Sequence, residues 1–270
     1  MPMMKLEPQR IFLWQLLVIA CLALGHVCAT ILLPNSPLFQ HAEMRALLDL
    51  DSESGLGTWY SALAILACAA VAYILSRAEE AKSSRRFWGG AALLAAFLAL
   101  DEAVGIHEHF TVIGKMLTSG DGIFRVSWWA PYLLALTPVL IAMAPGLLRL
   151  DTATRNRLVV AGVIYVAAAV GLEIIESSQY DAFLHQHGLL IGTDADWARV
   201  APIIRADPVF MHDYSLLVLA EETLEMLGVA LALRALAMRA AQLNAQLGLV
   251  FRGPAAKTSR PDDSPDATRR

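Results

Sequence analysis

Six stretches of this chain are apolar for about the length that crosses a lipid bilayer. They are residues 11–33, 58–75, 88–110, 128–148, 158–177 and 214–236. A helix rises about 1.5 Å per residue, so about 20 residues cover the ~30 Å hydrocarbon layer. Lipid offers no partner to backbone N–H and C=O groups, so only helices or closed barrels can span it. The runs are continuous, not alternating, which selects helices. The expected fold is an all-α, polytopic membrane bundle of six transmembrane helices. Composition agrees: 57% of residues are hydrophobic and only 17% charged, against roughly a quarter charged in a soluble domain. That argues against a disordered chain or a soluble enzyme. A net charge of −4 without a basic block excludes nucleic acid as a partner.

Basic residues set the direction. Sixteen of the 21 Lys and Arg fall at the two ends and in the second and fourth connections, including Arg77, Arg85, Arg149, Arg155, Arg234 and Arg239. Both termini are therefore expected in the cytoplasm, with the chain in a bacterial inner membrane. Residues 1–240 form the transmembrane domain. Residues 241–270 are expected to form the end of a cytoplasmic amphipathic helix and a disordered tail. Val27-Cys28-Ala29 could pass as a signal cleavage site, but the first apolar run is longer than the 7–15 residues of a signal peptide core. Trp14 and Trp88 on the inner side, and Trp59, Tyr60, Trp128, Trp129 and Tyr214 on the outer side, fit interfacial belts. The three cysteines lie within apolar runs and read as small buried hydrophobes.

The polar residues inside these runs are placed unevenly. Asp101, Glu102, Glu108, Glu173, Glu176, Glu221, Glu222 and Glu225 lie within or at the edge of spans. Each is costly in hydrocarbon, and no Lys or Arg shares the span cores. In the expected topology all eight lie in the outer half. All seven histidines fall on that side too, from His26 to His212. At 100° per residue, Asp101 with Glu108 and Glu102 with His109 share one helix face, around Gly105, and His107 points elsewhere. Glu173 and Glu176 are one turn apart. Glu225 projects between Glu221 and Glu222, with Gly228 one turn on.

Carboxylates and imidazole facing one another in a helix bundle suit Zn, Fe or Mn. The expected metal ligands are Asp101, Glu102, Glu108, His109, Glu173, Glu176, Glu221, Glu222 and Glu225. Glu102, Glu108 and Glu222 are the candidates for acid or base catalysis. No ExxH pair supports a ferritin-like di-iron site, and no HExxH is present. The competing readings are a hydrogen-bonded polar cluster and a metal-free proton relay. Ahead of the second span, Glu43, Asp49, Asp51 and Glu53 read as a solvated acidic loop or as a lid over the acids. The pairs His185/His187 and Asp194/Asp196 are weaker metal signals.

Three motifs, "LDLDSESGLGTWYS", "LDEAVGIHEH" and "EETLEMLG", together resemble an uncharacterised family of bacterial polytopic membrane proteins. The family pattern reads LDxDxE…TWYS, LDEAxxIHE and EExxEMLG, and the match spans roughly residues 47 to 228. The resemblance implies a membrane bundle and brings no activity with it. The residues themselves point to a metal-dependent enzyme whose site opens outward, with a lipid or small molecule as substrate. The alternatives are a proton- or metal-coupled transporter, and a non-catalytic subunit or assembly factor. Oligomeric state is not legible.

Overall fold

The computed structural model describes residues 7–107, 109–110, 113, 128–189 and 194–243. Among them there is no strand. Helix α1 (Pro8–His26) starts on a proline in its first turn and runs on as a π-helical stretch, Val27–Leu32. A short helix α2 (Ala42–Leu48) precedes α3 (Leu56–Ala78), and a tight turn leads to α4 (Lys82–Val104). Helix α5 (Trp129–Leu148) holds Pro138 and Pro145 in its interior. Asp151 caps α6 (Thr152–Val166) by accepting from the Thr154 N–H at 2.9 Å. A second π-helical stretch, Ala167–Leu172, joins α6 to α7 (Glu173–Gln186). Helices α8 (Asp194–Ala206) and α9 (Pro208–Gln242) follow. The Asp207 side chain caps α9 through the Val209 and Phe210 N–H groups.

Five helices are long and apolar enough to cross a membrane: Pro8–Leu32, Leu56–Ala78, Lys82–Val104, Trp129–Leu148 and Thr152–Gln186. They match five of the six expected runs. The sixth run lies inside α9, which carries Glu221, Glu222 and Glu225 and is not among the five. The third run ends sooner than expected. Helix α4 stops at Val104 because Gly105 turns into the left-handed region at φ 62°, with its N–H bonded to the Asp101 carbonyl. Only glycine adopts that conformation without strain, so it commonly ends helices. The surface helix and tail expected from residue 241 lie outside the described residues beyond 243.

Helix α9 is the axis of the bundle and packs on α6, α3 and α1. Helices α3 and α4 form the other closely packed pair, and α5 rests on α4. The main core joins Cys68 and Leu75 of α3 with Trp88 of α4 and Val229, Leu233 and Leu236 of α9. Trp88 is fully buried, which corrects its expected place in an interfacial belt. Its indole N–H reaches Glu79 at 3.3 Å, so the ring satisfies its polar edge inside the protein. The outward faces are strongly apolar, with Leu93 75%, Leu134 70% and Ile141 66% exposed. Such continuous apolar faces are what a helix presents to lipid. The three cysteines are all free.

Polar contacts gather at the two ends of the bundle. At one end, Arg239 of α9 donates to Glu79 at 2.6 Å (Nη2) and 3.1 Å (Nε), and to Asp151 at 3.4 Å. This clasp ties the end of α3 to the start of α6 and the far end of α9. At the other end, Leu50 N–H donates to His26 Nδ1 at 3.1 Å, which leaves Nε2–H to donate to the Ser215 carbonyl at 3.0 Å. His26 is buried and joins α1, the first connection and α9.

Candidate metal centre

The acids collect at the His26 end of the bundle. Glu173 and Glu176 stand in the first turn of α7, immediately after the π-helical stretch. π-Helical turns widen the helix and are frequent at functional sites. Glu221 comes from α9, about 10 Å of helix rise beyond Tyr214. One carboxylate oxygen from each of Glu173, Glu176 and Glu221 lies within 4.8 Å of the other two. Glu176 and Glu221 are buried and Glu173 is half-buried. Glu176 and Glu221 face each other from two helices, with carboxylate oxygens within 4.8 Å. Glu176 Oε1, fully enclosed, has no hydrogen-bond partner among the described residues. The Ser177 hydroxyl reaches Glu173 at 3.5 Å.

A second group of acids adjoins this triad. Glu222 and Glu225 of α9 lie within electrostatic range of Glu102 on α4. Glu225 also senses Glu221 and Glu173. Gly228, one turn beyond Glu225, lets α9 approach α6 closely. A Cβ at this position would stand 2.9 Å from Tyr165 Cβ and 3.0 Å from the Tyr165 backbone nitrogen. That close approach brings the α9 acids beside Tyr165, which is in electrostatic range of Glu225 and Glu102.

Two expected ligands are placed differently, and one is not described. Asp101 is buried with both oxygens occupied: Oδ1 accepts from His107 N–H at 2.7 Å, and Oδ2 accepts from the Tyr132 hydroxyl. His109 is exposed, with Nδ1 3.0 Å from the Gly105 carbonyl. Gly105 ends α4, so the helix face expected to join Glu102 to His109 does not continue past it. Glu108 lies outside the described residues. His185 approaches Asp181 at 3.8 Å, and His187 stacks on Phe183. The side chains of Asp194 and Asp196 lie outside the described residues.

Four residues join the site that the sequence reading left out of the ligand set. His107 turns back onto Asp101, its Nδ1 3.3 Å from Oδ1. Tyr132 of α5 holds the same carboxylate. Asp51, in the first connection, accepts from the Tyr214 hydroxyl at 3.1 Å on both oxygens. Asp51 interacts electrostatically with Glu173, Glu176 and Glu221, so this connection lies over the acids. Its outer edge is exposed, yet its carboxyl is pushed up to about 7. Displacement of water by the surrounding protein is the main cause, followed by Asp49, against the Tyr214 hydrogen bond. The motif "LDLDSE" carried this signal. The His107 contact needed knowledge that the helix ends at Gly105.

Residues 14–240 match the family described as "Domain of unknown function (DUF8692)". The chain belongs to this family. The match takes in every helix from within α1 to the last turn of α9, and so the whole acid site. No curated protein and no solved structure matches the chain.

Proposed function

We propose that this family member is a six-span inner-membrane protein that holds a divalent cation, Zn, Fe or Mn, in a carboxylate centre open to the outer side. The carrying observation is the Glu173, Glu176 and Glu221 triad, with an enclosed Glu176 oxygen that nothing described satisfies. Carboxylate–metal bonds of about 2.1 Å put ligand oxygens roughly 3–4 Å apart, which a triad within 4.8 Å can meet by small rotamer changes. Buried anions require a proton or a cation. The strongest charged neighbours of the three are other carboxylates and His107.

The sixth span is supported by the length of α9. It reaches from Tyr214, level with Asp51, to Arg239, level with Glu79 and Asp151. Those 25 residues rise about 37 Å, enough to cross the same layer as its neighbours. The bound cation would lower the pKa of a coordinated water, and Glu102 or Glu222, outside the triad, would serve as base. The substrate class is then a lipid or another membrane-embedded molecule reached from the outer leaflet. The tightly packed core and the Arg239 clasp at the opposite end favour one-sided access over transport.

One observation favours a metal-free reading. Glu176 and Glu221 are both buried with carboxylate oxygens within 4.8 Å, close enough for the two groups to share a proton in place of a cation. Metal analysis of the detergent-purified protein before and after chelation, with Glu221→Gln beside it, separates the two. A metal centre gives bound metal in the parent, and less metal and lower thermal stability in the variant, since bound ligand stabilises the folded state. An acid pair sharing a proton gives no metal, and a neutral or slightly stabilised variant.

A further inference from the structure

We propose that a furrow between α6 and α9, at the Arg239 end of the bundle, holds the phosphate of an anionic phospholipid, with Arg157 and Arg234 as its two cationic contacts. This stands apart from the metal reading above. The furrow is lined by Asn156, Arg157 and Val160 of α6 and by Leu231, Arg234 and Ala235 of α9. No acid is among them. Asp151 at the start of α6 meets Arg239 of α9 at 3.4 Å, and Ala161 and Tyr165 meet Gly228, so the two helices run antiparallel. Counted from the Asp151–Arg239 contact, Arg157 stands about 9 Å of helix rise into the bundle and Arg234 about 7.5 Å. The two cations therefore share one depth. Val160 and Leu231 lie about one turn deeper on their own helices.

The Phe12 ring of α1 covers one face of the Arg234 guanidinium, 4.9 Å from Cζ to the ring centre. The N–H groups of a guanidinium lie in its plane, so stacking leaves them to meet acceptors along the edge. Yet the enclosed Nε–H of Arg234 has no acceptor among the described residues, and such a buried donor is uncommon. Other cations at this end are paired, Arg10 with Glu7 and Arg239 with Glu79 and Asp151. Neither Arg157 nor Arg234 belongs to an ion pair among the described residues. Asp151 feels the charge of Arg157, but one of its oxygens accepts from the Thr154 N–H and the other from Arg239. Two guanidinium groups without an acid, beside apolar walls, call for an anion with a hydrocarbon part. Val160 on the furrow wall and Val163 further along α6 are exposed, on the apolar surface that acyl chains would follow. Basic clefts between membrane helices take anionic headgroups, and guanidinium pairs with phosphate through two parallel hydrogen bonds. A choline or ethanolamine headgroup carries an ammonium that the second arginine would repel, so a net-negative headgroup is selected.

Delipidated full-length protein in detergent is titrated with short-chain phosphatidylglycerol, with phosphatidylcholine of the same chain length, and with inorganic phosphate. Native mass spectrometry counts the molecules held, and thermal melts read the stabilisation that binding brings. The expected result is one phosphatidylglycerol held more tightly than phosphatidylcholine, and no shift with inorganic phosphate at the same concentration. Arg157→Gln and Arg234→Gln each weaken phosphatidylglycerol binding about fivefold, the loss of one cationic contact at a membrane surface. Val160→Trp fills the furrow and weakens binding with both arginines in place. Arg149→Gln, at the same end but outside the furrow, keeps the parental affinity. Arg157 and Val160 are exposed, so their variants decide the matter if Arg234→Gln does not stay folded. Parental affinity in both Arg157→Gln and Val160→Trp overturns the site. An equal loss in Arg149→Gln overturns it too, because the attraction would then be diffuse. Equal affinity for the two lipids overturns the choice of an anionic headgroup, and an equal shift with inorganic phosphate overturns the lipid as its source. A parent that holds no phosphatidylglycerol overturns the proposal outright and leaves the carboxylate centre standing.

Discussion

Asp51 illustrates how one side chain couples a loop to the site beneath it. Its carboxyl is raised from 3.8 to about 7 in the folded chain, first by displaced water and then by Asp49. A folded-state pKa above the unfolded one means that ionisation opposes folding. The penalty is absent below the unfolded pKa, grows between the two values and is complete above about pH 7. Asp51→Asn removes it. In metal-stripped protein the variant should therefore match the parent's melting temperature near pH 4 and exceed it at pH 8. Thermal melts across that range check the sign, and a gain confined to low pH would contradict the shift. Asp51 is visible in the sequence as part of an acidic loop. Its coupling to the acids depends on Tyr214, 163 residues further on, and no local pattern reports such a contact.

At the scale of elements, helix phase was legible where helices are regular and failed where they are not. Glu221, Glu222 and Glu225 lie in the uninterrupted helix α9, where the 100° step applies throughout. The stretch from Asp101 to His109 was read with the same 100° step, but Gly105 ends the helix between them. A glycine among apolar residues signals either close packing or a helix end, and tertiary structure decides. Gly228 shows the packing use. An alanine there would press on the Tyr165 backbone and the Ala161 carbonyl, 3.0 and 3.1 Å from the new Cβ. Gly162 on α6 faces open space. Overpacking costs about 1–3 kcal/mol, more than the ~1 kcal/mol that alanine gains over glycine in a helix. Gly228→Ala should thus lower the melting temperature in detergent and Gly162→Ala should not. Equal shifts in the two variants would show that α6 and α9 are not in close contact.

For the whole molecule, the hydropathy of the sequence was enough to foresee an all-helical fold with membrane-length helices. It did not foresee that Trp88 would be core, because an aromatic near a span end looks the same whether it meets lipid headgroups or a neighbouring Glu79. The proposed direction of the six spans is tested by reporter fusions. Fusions after Ser54 and Ala195 should report as external, and a fusion after Ser84 as cytoplasmic. An internal signal at Ala195 would put α7 and α9 the wrong way round and the acids on the cytoplasmic side.

The Arg239 clasp has an electrical consequence in this orientation. A membrane voltage falls mainly across the part of a protein that water cannot enter, and moving one elementary charge through the full drop changes its energy by about 2.3 kcal/mol per 100 mV. The sealed inner half, from the Trp88 core to the Glu79–Arg239–Asp151 contacts, would take most of that drop. Glu173, Glu176 and Glu221 would then sit near the potential of the outer solution. A cation arriving from outside would reach them without crossing the field, so occupancy of the centre should follow the external metal concentration and be nearly indifferent to whether the cell is energised.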